Sequence, residues 1–222
     1  MSRRVLVIAP HPDDETLGAG GTIAKWAAAG QEITVLVVSG HLPPLYPQEA
    51  FDTTVDEAQK AFAILGVAKS TFLKIPATHI GNVPVHEFNG AIDAAVQACE
   101  PHVVLCPFPD RHIDHRLIFD AVQVATRPVG VRRSIEILAA YETLSETHWN
   151  APHIEPNFTP NWVVDISDHI DQKLAALSCY ASQIPPFPGA RSREACRALA
   201  QFRGTQAGFG YGEGFHVIRM VG

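Results

Sequence analysis

Arg4 to Ala9 reads RVLVIA, and Pro10-His11-Pro12-Asp13-Asp14-Glu15 follows it without a gap. The first run is apolar throughout rather than alternating, which is the pattern of a strand covered on both faces. Pro10 stops it, and the alanine-rich stretch from Gly21 to Gly30 then predicts a helix ending at a C-cap glycine. The same unit recurs downstream. Ile33 to Val38 (ITVLVV), Thr71 to Ile75 and His102 to Cys106 (HVVLC) are further strand runs. Between them, Phe51 to Leu65 carries apolar residues at helical spacing and closes at Gly66, and a second helix is expected from about Phe88 to Cys99. The alternation predicts an α/β chain, a Rossmann-like three-layer fold with a mostly parallel sheet.

Past the fourth strand, a loop from Pro107 to Ile113 leads into a helix expected from about Asp114 to Thr126. Ile135 to Tyr141 and Trp162 to Ile166 are strand candidates, and Ile170 to Tyr180 and Arg191 to Arg203 read as helices. Ile184 to Gly189 (IPPFPG) reads as a surface loop, and Gly204 to Gly214 as an irregular segment before a short final strand, Phe215 to Met220. With 222 residues against roughly 150 per domain, the expectation is one domain spanning 1–222, loop-rich from about 184.

Hydrophobic residues make up 46% and charged residues 18%, enough to build a core and too apolar for a disordered chain. The net charge of −6, with Lys and Arg scattered, argues against a nucleic-acid partner. No apolar run approaches the ~18 residues of a transmembrane segment, and no signal peptide is recognisable. Cys99, Cys106, Cys179 and Cys196 form no CxxC pair, so reduced thiols and a cytoplasmic location are expected. The less usual feature is the count of 11 histidines.

Chemistry concentrates in two loops. In a sheet of order 3-2-1-4-5, strands one and four are neighbours at the switch point, where ligands bind beyond the strands' carboxyl ends. The loop after strand one carries His11, Asp13, Asp14 and Glu15, and the loop after strand four carries Asp110-Arg111-His112-Ile113-Asp114-His115. The two would converge, placing a metal site at the carboxyl ends of strands 1 and 4. A catalytic zinc takes three nitrogen or oxygen ligands and keeps one position for water, and His11, Asp14 and His115 can supply the three. Iron, nickel and manganese suit the same ligand types. Asp13 and Asp14, being adjacent, cannot easily both bind one ion, so one carboxylate is left as a candidate general base.

Val5 to Ile23, VLVIAPHPDDETLGAGGTI, resembles the first motif of the LmbE or PIG-L family of zinc-dependent N-acetyl-sugar deacetylases, and HIDH at 112–115 resembles its second. Leu65 to Val67 and GEGF at 212–215 also fall where that family has comparable segments. The resemblance implies hydrolysis of an acetamido group on a small-molecule N-acetylated sugar or glycoconjugate of the N-acetylglucosamine type. It places Zn2+ (with Fe2+ still open) on His11, Asp14 and His115, the general base on Asp13 and an oxyanion-stabilising histidine on His112. Asp114 is expected to orient His112 and keep it charged, or else to cap the helix. One departure stands out: the family often carries an arginine three residues before a glutamate in the second helix, and here Thr54 precedes Glu57 at that spacing.

Weaker features stand beside these. Gly18-Ala19-Gly20-Gly21 lacks the GxGxxG spacing of a phosphate turn, so close backbone approach is the better reading. Glu15 is either a partner of a ligating histidine or a helix-entry carboxylate, and Tyr46, Trp149 and Phe187 are candidates for stacking on a sugar. Alternatives to the deacetylase are an amidase of the same mechanism on a bulkier amide, or a noncatalytic sugar- or nucleotide-binding module; a homo-oligomer is left open.

Overall fold

The structure, a computed structural model, describes residues 2–154 and 157–222. Its elements run β1 (Arg4–Ala9), α1 (Asp14–Ala28), β2 (Glu32–Gly40), α2 (Gln48–Leu65), β3 (Lys69–Pro76), α3 (Val85–Cys99), β4 (Val103–Pro107) and α4 (Ile113–Ala125). Then come β5 (Ile137–Tyr141), β6 (Trp162–Asp165), α5 (Ile170–Leu177), α6 (Arg193–Thr205) and β7 (Gly212–Met220). The seven strands form one sheet of order β3-β2-β1-β4-β5-β7-β6. The pairings from β3 to β5 are parallel, whereas β7 runs antiparallel to both β5 and β6.

The apolar run of β1 is explained by its two faces. Val5, Val7 and Ala9 enter one core with Leu17 and Ile23 of α1, Phe62 of α2 and Leu174 of α5. Leu6 and Ile8 point the other way, to Phe88 and Ile92 of α3 and Ile118 and Val122 of α4. Helices on both faces make the three-layer α/β fold. Each such side chain contributes about 1.5–3 kcal/mol when fully buried, so a central strand of alternating polarity could not occupy this place.

Several boundaries differ from the sequence reading, among them the starts of α2 and α3, which lie three residues early at Gln48 and Val85. Helix α1 begins at Asp14, seven residues before Gly21, because Gly18 and Gly21 lie within the helix where it meets Tyr141 and Ile166 rather than in a turn. A Cβ at Gly18 would stand 2.2 Å from the Tyr141 ring, and one at Gly21 would stand 2.7 Å from Ile166. Helix α5 ends at Leu177, three residues early. Strand β7 starts at Gly212 because Glu213 is needed inside the fold, where its carboxylate accepts from the N–H groups of Gly21 and Thr22 and pairs with Lys173 Nζ at 2.5 Å. The GEGF stretch thereby ties the C-terminal strand to α1, the helix that opens with Asp14.

The switch point lies between β1 and β4, as the topology requires. Both polar loops leave the sheet there, at the carboxyl ends of these two strands.

Candidate metal centre

The first loop is shaped by backbone strain. Asp13 precedes α1 with φ 118°, a conformation that costs a non-glycine residue of order 1–3 kcal/mol. Its carbonyl accepts from Thr16 and Leu17, which starts the helix, while the side chain is left to face the crevice. Asp14 turns back over the loop, and its Oδ2 accepts from the His11 N–H at 3.0 Å and faces His11 Nδ1 at 3.1 Å. On the second loop, the His112 ring caps α4 by accepting the Asp114 N–H at 3.1 Å through Nδ1. His115, one turn on, is wholly buried.

His11, Asp14 and His115 come together: one donor atom from each lies within 4.8 Å of the others, the spread of a single cation site. Each histidine has a carboxylate on its far nitrogen. Asp114 Oδ2 lies 3.0 Å from His11 Nε2, and Asp110 lies 3.1 Å from His115 Nδ1. Such carboxylates fix the tautomer and orientation of ligating imidazoles. His115 Nε2 is left 3.4 Å from Asp14 Oδ2 and makes no hydrogen bond among the described residues; Asp14 Oδ1 and Asp13 Oδ1 are likewise buried and unpartnered. Buried polar atoms without partners cost free energy in a dry interior, and a divalent cation shared by this nitrogen, once deprotonated, and the carboxylate satisfies them. The residues present therefore fit a divalent metal.

The charges agree with that reading. Burial alone would lower the His11 and His115 pKa values, but the carboxylates outweigh it. Asp114 and Asp14 push His11 up to about 9, and Asp14 and Asp110 push His115 up to about 10. Asp14 is held well below the usual carboxylate range despite burial, chiefly by His115. Burial pushes Asp13 up to about 8, against the pull of Arg191.

Asp114 turns its carboxylate to His11 and reaches His112 through its backbone N–H and its charge, which favours the imidazolium without prevailing. Its carboxylate accepts from His11, from the Thr78 N–H at 2.8 Å and, at 3.5 Å, from Ser39 Oγ, and its side chain makes no hydrogen bond to the His112 ring. The reason is helical geometry: the turn that lets His112 cap α4 swings the Asp114 side chain toward β2 and the first loop. His112 is also not held charged. Burial lowers its pKa, and neighbouring His11 and His115 lower it further. A ring nitrogen that accepts a backbone N–H carries no proton, so the proton sits on Nε2.

Four residues escape the sequence reading. Asp110 accepts from His115, from the His112 N–H and from Thr147 Oγ1; its place five residues before His115 is the available signal. Arg191, Glu146 and Tyr180 give none, since they reach the site from distant elements. Tyr180 donates to Glu15 at 2.6 Å, so Glu15 braces the loop from inside the core, bonded to Thr16 and Tyr180 rather than to His11 or His115. Thr54 is buried and bonded to its own helix at Phe51, and Glu57 holds Ser182. A cavity of about 210 Å³ opens on the cluster, lined among others by His11, Asp13, His41, Tyr46, His112 and Arg191. Trp149 and Phe187 are exposed and do not line it.

The model of the family described as PIG-L, GlcNAc-PI de-N-acetylase, matches residues 6–126, which span both loops. The chain belongs to the PIG-L family. This PIG-L chain is 30% identical over 236 residues to a diacetylchitobiose deacetylase of Thermococcus kodakarensis, covering 97% of this chain and 83% of the relative. Among solved structures it superposes on N,N'-diacetylchitobiose deacetylase of Pyrococcus horikoshii with a TM-score of 0.76 and 25% identity, over 98% of this chain and 84% of the other. It also superposes, at TM-score 0.79 and 21% identity, on the 4-carboxy-2-hydroxymuconate hydratase GalB of Pseudomonas putida, covering 99% and 98%. A hydratase on the same fold means that architecture alone does not choose the reaction.

Proposed function

We propose that this chain is a zinc-dependent N-deacetylase acting on a small N-acetylated sugar or glycoconjugate of the N-acetylglucosamine type. The observation that carries it is the pairing of two buried, unpartnered sets of polar atoms: His115 Nε2 with Asp14 Oδ1, and beside them Asp13 Oδ1. The first set suits a cation and the second a proton. His11, Asp14 and His115 would hold the ion, which supplies a polarised water and a Lewis acid for the acetyl carbonyl.

The chain's own residues do the rest. Asp13 Oδ1 takes the proton of the attacking water, and both the cation and Arg191 favour its anionic form against burial. His112 Nε2–H, as a neutral donor, stabilises the oxyanion that forms on the carbonyl. As the tetrahedral centre collapses, the C–N bond breaks and Asp13 returns its proton to the leaving amine.

The cavity of about 210 Å³ lies below the ~300 Å³ at which pockets for drug-sized ligands begin, which favours one acetamido sugar over a bulky amide. The names of the relatives support the same substrate class. The reading treats the chain as one catalytic unit, since β7 is paired within the sheet that carries β1. Free thiols at Cys99, Cys106, Cys179 and Cys196 suit action in the cytoplasm, and no helix among the described residues is long and apolar enough to cross a membrane.

The test is acetate release by zinc-loaded protein across N-acetylated monosaccharides, disaccharides and sugar conjugates. Asp13→Asn should keep its zinc and lose about 10² to 10⁴ in rate, while Asp14→Ala should lose zinc as well. No acetate from any N-acetyl sugar, with zinc bound at His11, Asp14 and His115, would overturn the substrate assignment.

A further inference from the structure

Arg191 stands immediately before Ser192, whose hydroxyl caps α6 by accepting the Ala195 N–H. Its side chain is thus launched from a fixed helix start and crosses from the α5–α6 connection to the wall of the cavity. There all three guanidinium nitrogens are engaged. Nη1 donates to Asp13 Oδ2 at 3.0 Å, Nε to Ser145 Oγ at 3.0 Å, and Nη2 to Glu146 Oε1 at 3.3 Å. Glu146 is itself nearly buried, and its second oxygen holds Arg111 at 2.5 Å.

The consequence falls on Asp13. Its carboxylate is buried, its backbone is strained, and its side chain does not cap α1. Oδ2 has Arg191 as its hydrogen-bond partner; Oδ1 has none among the described residues. One oxygen is fastened and the other presented. A planar guanidinium with its other two nitrogens tied down is a rigid fork, which a lysine could imitate only as a point charge. We propose that Arg191 is the positioning residue of the catalytic base: anchored by Ser145 and Glu146, it holds Asp13 by one oxygen so that the other faces the metal crevice. The proposal rests on the base role assigned to Asp13 and adds a residue from an element that carries neither loop motif.

A positioning role and a substrate-binding role predict different kinetics. Displacing a reacting group by about 1 Å can cost ~10²-fold in rate, so Arg191→Ala should lower kcat by about that factor with KM and zinc content near wild type. Arg191→Lys should recover part of the loss, and Glu146→Gln, which loosens only the anchor, should give a smaller one. In an Asp13→Asn background, Arg191→Ala should lower kcat no further, because groups acting as a unit are not additive. A raised KM with kcat retained, or a full further loss in the Asp13→Asn background, overturns the proposal. If wild type releases no acetate from any N-acetyl substrate, the functional reading fails on its own account. The crystal structure of zinc-loaded Arg191→Ala then decides the positioning claim: a rotated Asp13 carboxylate supports it, and an unmoved one overturns it.

Discussion

Asp114 Oδ2 lies 3.0 Å from Nε2 of His11, a residue 103 positions away, rather than on the ring of His112 two positions before it. With Asp110 on His115, the cluster has one carboxylate behind each histidine. Removing such partners typically costs 10- to 100-fold in metal affinity. Asp114→Asn and Asp110→Asn should each weaken zinc by about that factor in competition with a chromophoric chelator. If Asp114→Asn keeps wild-type affinity and alters only the pH profile of kcat, Asp114 serves His112 after all.

Zinc binding should expel protons. Without metal, His11 and His115 titrate near 9 and 10, both raised above the ordinary histidine value, so both are charged at pH 7. Each must give up one proton to become a ligand, whereas Asp14, held low, has none to give. Calorimetry in buffers of different ionisation enthalpy should find about three protons released per zinc near pH 7, one each from His11, His115 and neighbouring Asp13, falling toward none as pH rises through 8, 9 and 10. The metal-free fold follows the same sign. Raised histidines contribute stability that is complete below about 6.5 and lost as pH climbs through their folded values. The apo Tm should therefore fall between pH 7 and 10, and zinc-loaded protein, with these protons already gone, should not share that loss. Proton release that is absent at pH 7 would mean the ligands are already neutral.

The parallel strands and the convergence of the two loops are legible in the sequence because both come from local pattern and from a topological rule. RVLVIA can only be central, and the loops that leave β1 and β4 at their carboxyl ends must meet. The start of helix α1 is obscured because Gly18, Gly20 and Gly21 lower helix propensity, while the reason for Gly18 and Gly21, Tyr141 and Ile166 pressed against the backbone, lies over a hundred residues away. The same holds for the site. Residues within the two loops can be found by spacing, but Arg191 and Glu146 are joined to Asp13 only by the folded chain. Asp114 shows a subtler limit: its presence is evident, but which histidine it serves depends on a side-chain direction that helix entry sets.

Gly18→Ala tests the packing account. In an exposed helix interior the change would be worth about 1 kcal/mol in favour of alanine. Here the new methyl would stand 2.2 Å from Tyr141 Cδ2 and 2.7 Å from the Glu142 carbonyl oxygen. Tyr141 cannot give way freely, since its hydroxyl donates to Ile8 O at 2.8 Å beneath the sheet. Overpacking of this kind costs about 1–3 kcal/mol or more, so thermal unfolding should show a Tm several degrees lower, at ~2–4 °C per kcal/mol for a chain of this size. An unchanged or raised Tm would show that α1 can move off the sheet.

His112 offers the sharpest separation of roles. A third imidazole ligand would make His112→Ala lose zinc, and a charged oxyanion donor would lose its strength as pH rises through its pKa. His112 also lies with His11 and Asp114 in a second group that could hold a cation, so zinc content decides the first role, while the lowered pKa of His112 argues against the other. Its Nδ1 is occupied by the Asp114 N–H, its environment lowers its pKa, and its Nε2–H is available at neutral and alkaline pH alike. His112→Ala should keep zinc at wild-type stoichiometry and lower kcat by about 10² to 10³, the scale of one lost oxyanion donor. The reduction should be about the same factor from roughly pH 7 to 9, because a donor that is already neutral has no proton to lose in that range. The measurement is kcat against pH for wild type and variant, with zinc content determined on the same samples. An alkaline limb present in wild type and missing in His112→Ala would restore the charged imidazolium, and lost zinc would move His112 into the ligand set.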